Sequence, residues 1–204
     1  MIIDTAIKQA GAIRASGLDE FFDLAKIFEY YPPLENNRIA VASFSGGEGV
    51  ITTDFCQLHG LRLAQPNAQS KERLSKVFPT WEIPLNPFDT GVTGQFNPKV
   101  DVTDVFLDTL ADDPGVDCLA IQTGGGPTGP IDIGQDGRAQ KLIDFYKSVI
   151  KRGKHLVVWT VSPGRSNQLT ELLESNRIPV FPSAERAVRA VGALYRYHLL
   201  KNRD

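Results

Sequence analysis

A parallel α/β sheet covered by helices on both faces is the fold class that this sequence predicts, and three observations carry it. Short β-rich runs alternate with stretches of helical periodicity along most of the chain. The last helical stretch presents one apolar stripe, as a helix packed on a sheet requires. The chain has 204 residues, 42% of them hydrophobic and 23% charged, the length and composition of one ordinary globular domain. That composition excludes a disordered tail, a collagen-like fibre and a coiled coil.

The elements follow in order. Ser16-Gly17-Leu18-Asp19 is a capping-box signal, and Leu18, Phe21, Phe22, Ala25 and Phe28 follow it at helical spacing. The helix stops at Tyr31-Pro32-Pro33, because proline cannot donate into a helix and restricts the residue before it. Residues 1–36 are therefore expected to form an N-terminal helical extension, and 37–204 the α/β domain. In that domain Arg38 to Ser43, Leu61 to Leu63, Asp117 to Gln122, His155 to Val161 and Ile178 to Phe181 read as strands. Helices are expected near Val50 to His59, Lys71 to Phe78, Val100 to Leu110, Arg138 to Lys151, Asn167 to Ser175 and Ala184 to Leu200. In the last of these Val188, Val191, Tyr195, His198 and Leu199 make the stripe. About five strands alternating with helices make a flavodoxin-like, doubly wound parallel sheet of order 2-1-3-4-5. Leu85 to Pro98 reads as a long irregular connection, a kind of loop that is often functional.

Charge and cysteine content narrow the function. With 22 basic against 24 acidic side chains, the net charge is −2, and no Lys/Arg run offers a footprint for a phosphate backbone, so nucleic acid is not an expected partner. Cys56 and Cys118 are too few for a disulfide framework and lie in apolar stretches, where a thiol acts as a small hydrophobe; a reducing cytoplasm is the simplest location. No stretch has the composition of a signal peptide or the length of a membrane span, so no membrane partner is expected.

Ligands of open α/β sheets bind where the strands end. Two glycine clusters occupy such positions. Ser43 to Gly49 contains Ser45, Gly46 and Gly47 and leads from the first strand into a helix. It is either an anion cradle, built from backbone amides and a hydroxyl, or a tight strand-to-helix turn. It lacks the Lys and Ser/Thr of a Walker loop. The second cluster, Gly124, Gly125 and Gly126 within Thr123 to Pro130, follows the third strand. Three successive glycines are costly to order, which favours a site needing bare backbone over a plain surface loop. His59, His155 and His198 have no metal-site or nucleophile-relay spacing, and no metal site is expected. Asp112 with Asp113, Asp101 with Asp104, and Asp132 with Asp136 are carboxylate pairs that helix ends and solvated faces also explain. Asp89, in Asn86-Pro87-Phe88-Asp89-Thr90-Gly91, stands out in the long loop, as a functional carboxylate or as an acceptor that fixes the turn together with Asn86.

Several stretches in order resemble one family, the ADP-forming (NDP-forming) acyl-CoA synthetases, relatives of succinyl-CoA synthetase. They run from Ala6-Ile7-Lys8-Gln9-Ala10-Gly11-Ala12-Ile13-Arg14 and Leu18-Asp19-Glu20-Phe21-Phe22 through Arg38-Ile39-Ala40-Val41 and Ser45-Gly46-Gly47-Glu48-Gly49-Val50. They continue in Asn86-Pro87-Phe88-Asp89 and Asp113-Pro114-Gly115-Val116-Asp117, and close with Ile178-Pro179-Val180-Phe181-Pro182-Ser183-Ala184-Glu185-Arg186-Ala187-Val188. The similarity is to the flavodoxin-like ligase domain, like the C-terminal domain of the succinyl-CoA synthetase β subunit. The resemblance implies a reversible reaction in which acyl-CoA, ADP and phosphate give acid, CoA and ATP through an acyl phosphate and a phosphohistidine. The family's phosphohistidine segment, of Ser-His-Thr-Gly type, does not occur in this chain. The resemblance therefore implies a domain with no catalytic residue of its own that binds no cofactor alone. CoA, ADP or ATP, and Mg belong to the whole enzyme; the partners are a CoA-binding, phosphohistidine-bearing domain and an ATP-grasp domain, with a homodimer also open. Family members hold the phosphohistidine at the N-termini of two helices, and the matching element implied here is Gly124-Gly125-Gly126, with Pro127 to Gly137 as extra loop. Two other readings are a non-catalytic subunit-docking module and a free-standing FMN binder using Ser43 to Gly49.

Overall fold

A computed structural model describes residues 2–78, 85–123, 137–160 and 167–202. Its elements are α1 (Ile2–Gln9), α2 (Leu18–Tyr30), β1 (Arg38–Ser43), α3 (Gly46–Leu58), β2 (Arg62–Leu63), α4 (Ala68–Ser75), β3 (Phe88–Asp89) and α5 (Thr90–Phe96). After these come α6 (Val102–Ala111), β4 (Cys118–Thr123), α7 (Arg138–Lys151), β5 (His155–Thr160), α8 (Asn167–Ser175), β6 (Val180–Phe181) and α9 (Ala184–Lys201). The strands form one parallel sheet in the order β2-β1-β4-β5-β6. With the two-residue β3 set aside, this is the doubly wound order 2-1-3-4-5. β3 is the strand that the periodicity missed: it pairs with β1 at Ala42 and Ser43, and two residues are too short for a pattern of period two.

Side chains alternate across the sheet, and each face has its own core. Ala40, Ala42, Leu119, Ile121, Leu156 and Val158 point toward α4, α6, α7 and α8, where Phe106, Leu107, Tyr146 and Leu173 are buried. Ile39, Val41, Cys118, Ala120, Val157 and Trp159 point toward α2, α3 and α9, where Ile27, Cys56, Val188 and Val191 close the opposite layer. Cys56 and Cys118 are free and buried in this second layer, and burial pushes the Cys56 thiol up to about 12.

The edges of several expected elements move for identifiable reasons. Ser16 does not cap α2. Gly17 is the N-cap without a side-chain bond, and Ser16 instead gives its N–H and hydroxyl to the Glu20 carboxylate. α3 begins four residues earlier than its apolar pattern, because Ser45 caps it and the glycines form its first turn. The connection from Leu85 to Pro98 holds β3 and α5, and Asp89 is the N-cap of α5. The stripe on α9 ends early: Val188 and Val191 are buried, while Leu199 is exposed.

α2 is fastened to α9 by a buried carboxylate. Asp23 is 3% exposed and accepts from Arg186 Nε at 2.7 Å and Nη2 at 2.9 Å, and from Arg189 Nη2 at 3.3 Å. Lys26 adds an ion pair with Glu174 and donates to the Val180 carbonyl at 2.8 Å. On the other face Asp113, 1% exposed, accepts from the N–H groups of Asn67 at 2.8 Å and Gly115 at 2.7 Å. Burial alone would raise its carboxyl; the bonds from Asn67, Ser70 and Gly115 and the Lys154 charge bring it below the ordinary 3.8.

Two predictions follow from these carboxylates. Asp23→Ala leaves two guanidinium groups facing a closed layer and is expected to cost about 3 kcal/mol, read as a lower urea midpoint. The folded Asp113 carboxyl lies below its unfolded value, so its stabilisation is full above about pH 4 and is lost as the pH falls through the folded value. Asp113→Asn should lower stability at pH 7 and flatten the acid limb of the stability curve.

Candidate functional site

Because all the strands run parallel, their C-terminal ends share one edge, and the chain turns there from β1 into α3. The turn is tied down on three sides. The Phe44 N–H donates to Gln122 Oε1 of β4 at 2.6 Å, the Thr90 hydroxyl donates to the Ser43 carbonyl at 2.9 Å, and the Ser43 hydroxyl donates to the Ser45 carbonyl at 2.9 Å. Ser45, extended at φ −146°, caps α3 by accepting from the Glu48 N–H at 3.3 Å. The next intrahelical donor is Gly49, bonded to the Ser45 carbonyl at 3.1 Å. The amides of Gly46 and Gly47 thus have no bonded partner among the described residues, as expected of a helix's first turn, and both residues are exposed.

Close packing explains the remaining glycines of this edge. A Cβ on Gly49 would sit 3.1 Å from Pro87 Cβ and 3.2 Å from the Ser43 hydroxyl, and one on Gly91 would fall 2.1 Å from the Phe44 carbonyl oxygen. Gly47 differs, since a Cβ there meets nothing within 4 Å. Its glycine leaves open space above two unbonded amides at the positive end of a 13-residue helix.

Two carboxylates flank the turn. Glu48 Oε1 accepts from Trp159 Nε1 at 2.7 Å, so the fully buried indole of β5 fixes where that charge sits. Asp89 accepts from the Val92 N–H at 2.9 Å through Oδ1, and its Oδ2 faces Gly46, 3.1 Å from where a Cβ would stand. Asp89 is thus the turn-fixing acceptor and also a negative neighbour of the Gly46 amide.

Asn86 works one layer below. β4 takes one edge of β1; on the other edge β2 pairs at Arg38 and Ile39 and β3 at Ala42 and Ser43. The Asn86 side chain fills the gap between them: Oδ1 accepts from the Val41 N–H at 2.9 Å, and Nδ2 donates to the Ile39 carbonyl at 3.0 Å and the Ala64 carbonyl at 2.9 Å. The amide gives the Val41 N–H the acceptor that neither short strand supplies, and adds a second donor to the Ile39 carbonyl, which already accepts from the Ala64 N–H at 2.8 Å.

Of the residues singled out in the sequence, Ser45, Gly46, Gly47, Asn86 and Asp89 meet at this edge, while Gly124, Gly125 and Gly126 lie outside the described residues, as do Asp132 and Asp136. β4 ends at Thr123, a buried residue whose side chain bonds the buried Tyr146 phenol. Asp101 caps α6, accepting from Thr103 at 3.0 Å and Asp104 at 3.2 Å; burial, then the charges of Asp101 and Asp108, push the Asp104 carboxyl up to about 6. Gln122, Pro87 and the Glu48–Trp159 bond were not anticipated. A glutamine closing an apolar strand was the available signal for the first, and the partner that a buried indole N–H needs was the signal for the last.

The histidines lie at the other edge. His59 caps the C-terminal end of α3, His155 opens β5 with Nε2 3.0 Å from the Pro32 carbonyl, and His198 is in the last turn of α9. All three are at the N-terminal side of the sheet, about 20 Å of helix away from Gly47 for His59.

No protein-family model matches the chain. It is 29% identical over 197 residues to the alpha subunit of an ADP-forming acetate–CoA ligase II of Pyrococcus furiosus, covering 95% of this chain and 40% of that one. It is 28% identical over 196 residues to the ADP-forming 4-hydroxybutyrate–CoA ligase of Nitrosopumilus maritimus, covering 96% and 26%. The structure superposes with TM-score 0.79 and 26% identity on the dinucleotide-forming acetyl-coenzyme A synthetase 1 of Ca. Korarchaeum cryptofilum in complex with phosphate and ADP, covering 98% of this chain and 41% of that one. The chain is homologous to part of the ADP-forming acyl-CoA ligases. The match takes in almost all of this chain but only 26% and 40% of the length of those two curated relatives. These ligases thus carry the same parallel sheet within a longer polypeptide, and nothing in the comparisons supports a docking module or an FMN binder. Among the described residues no helix is long and apolar enough to cross a membrane.

One prediction tests the ladder gap. Asn86→Ala removes three hydrogen bonds and strands the Val41 N–H, at an expected cost of about 2 to 4 kcal/mol. Amide exchange should show Val41 losing protection before Ala120 on the neighbouring strand.

Proposed function

We propose that this chain is a ligase module of an ADP-forming acyl-CoA ligase, seating the phosphoryl group of a phosphohistidine that a partner domain supplies. The reaction is acyl-CoA with ADP and phosphate giving acid, CoA and ATP. The observation that carries the reading is the exposed first turn of α3, where among the described residues the Gly46 and Gly47 amides are unbonded and the space above Gly47 is open. Backbone amides and the helix dipole favour a dianion there, by about 0.3 to 2 kcal/mol. The Asp89 carboxylate beside Gly46 opposes a second negative charge, so the seat centres on Gly47. Ser45 keeps its hydroxyl on the cap, and Trp159 keeps Glu48 in place by its indole N–H. Gly124, Gly125 and Gly126, which follow Thr123 at the end of the neighbouring β4, are the second set of backbone donors in this reading.

The position of the three histidines supports a donor in another domain, since each stands at the edge of the sheet away from α3's first turn. Electrostatic positioning of this kind lowers a barrier without a catalytic side chain in the module. CoA, the nucleotide and Mg are in this reading held by the rest of the enzyme, by a CoA-binding, phosphohistidine-bearing domain and an ATP-grasp domain.

The test is reconstitution. This chain, added to a relative's ligase lacking the matching region, should restore acyl-CoA-dependent ATP formation. Gly47→Asp places a carboxylate into open space and should cut that rescue more than tenfold with an unchanged melting temperature, and Gly125→Asp should do the same for the second loop. Undiminished rescue by both variants would remove the phosphate role from this edge.

A further inference from the structure

At the opposite end of the molecule, a cavity of about 670 Å³ lies between α1, the segment after it, and the last turns of α9. It falls in the range of about 300 to 1,000 Å³ that suits a small organic ligand. Its walls are mainly aliphatic, with Ile7 and Ile13 on one side and Leu199 and Leu200 on the other. α1 buries none of its own residues, and Ile7 is the isoleucine it contributes to the cavity wall. Three cations line the space, Lys8, Arg14 and Arg196, against one carboxylate, Asp4, which is already paired with Arg14.

Arg196 is the unusual member. It is half-buried and makes no hydrogen bond or ion pair among the described residues, and burial lowers the affinity of its guanidinium for the proton. Glu20 is the carboxylate whose charge reaches it, and Glu20 is engaged by the Ser16 N–H at 2.8 Å and by the Ser16 hydroxyl. A partly desolvated guanidinium with no bonded partner among the described residues, lining an aliphatic cavity, is complementary to an oxyanion on an apolar body.

We propose that this cavity binds an amphiphile made of an aliphatic chain and a single oxyanion head, with Arg196 holding the head, Lys8 adding charge, and the chain lying between Ile7, Ile13 and Leu199. The site is separate from the first turn of α3 and does not rest on the ligase reading, since α9 carries its lining residues Arg196 to Leu200 about 18 to 24 Å from the end of the sheet where that helix starts.

Calorimetric titration of the 204-residue protein with decanoate and with decyl phosphate tests it. One saturable site is expected for at least one of the two, and comparing them tells a carboxylate head from a phosphate head. Arg196→Gln should weaken binding about tenfold or more, and Ala12→Trp, at an exposed position lining the cavity, should abolish it. Both variants should keep the wild-type melting temperature, because neither side chain bonds another part of the fold. Decanol binding as tightly as decanoate would overturn the role of Arg196. Saturable binding unchanged in both variants, or seen with anionic vesicles but with neither soluble amphiphile, would overturn the site.

Discussion

A strand buried on both faces must satisfy its backbone groups along both edges, and β1 meets this demand on one edge with two fragments and a side chain. β2 serves its first residues, Arg38 and Ile39, β3 its last, and the Asn86 amide serves the Val41 N–H between them. An unpaired buried N–H costs a substantial fraction of a domain's net stability, so the amide is a structural necessity. Much else depends on it. By fixing Asn86 it fixes Pro87, against which Gly49 packs, and it sets the start of β3, whose Asp89 caps α5 and faces Gly46. The geometry at the first turn of α3 is thus built outward from a repair in the sheet.

The division of labour between the two ends of the sheet is equally physical. The C-terminal edge collects the polar groups of strand ends, the Gln122 amide, the Thr90 hydroxyl and two carboxylates, and holds two backbone donors that have no bonded partner among the described residues. The N-terminal edge holds the histidines and the bidentate Arg38–Asp117 pair, at 2.7 Å for both Nε and Nη2. Among the described residues the three histidines thus stand away from the edge that presents the Gly46 and Gly47 amides. The chain's homology to part of a longer ligase agrees with that arrangement.

Most of the sheet was legible in the sequence, because long strands such as Arg38–Ser43 and His155–Thr160 carry apolar runs bounded by charge, glycine or proline. Strand order followed from the alternation with helices. What escaped was set by contacts distant in sequence. β3 exists because β1 has an unfilled edge, and α5 because Asp89 caps it, and neither leaves a periodic trace. The candidate site was half legible. Ser45, Gly46 and Gly47 were found as a glycine cluster, and Asp89 as a turn acceptor. Local pattern placed the start of α3 at Val50, since the apolar period begins there, and so read as a loop the two glycines that form the first helical turn. Trp159 reaching Glu48 across 111 positions of sequence could be learned only from the fold.

The clasp of Asp23 with Arg186 and Arg189 has a consequence for how such a module is carried. It holds α2 against α9, and α1 lies near the last turns of α9, since Ile7 and Leu199 line the same cavity. The first and last helices therefore stand side by side on one surface. A unit built like this can be spliced into a longer polypeptide at a single point without stretching its sheet, which is the geometry that tolerates insertion and permutation.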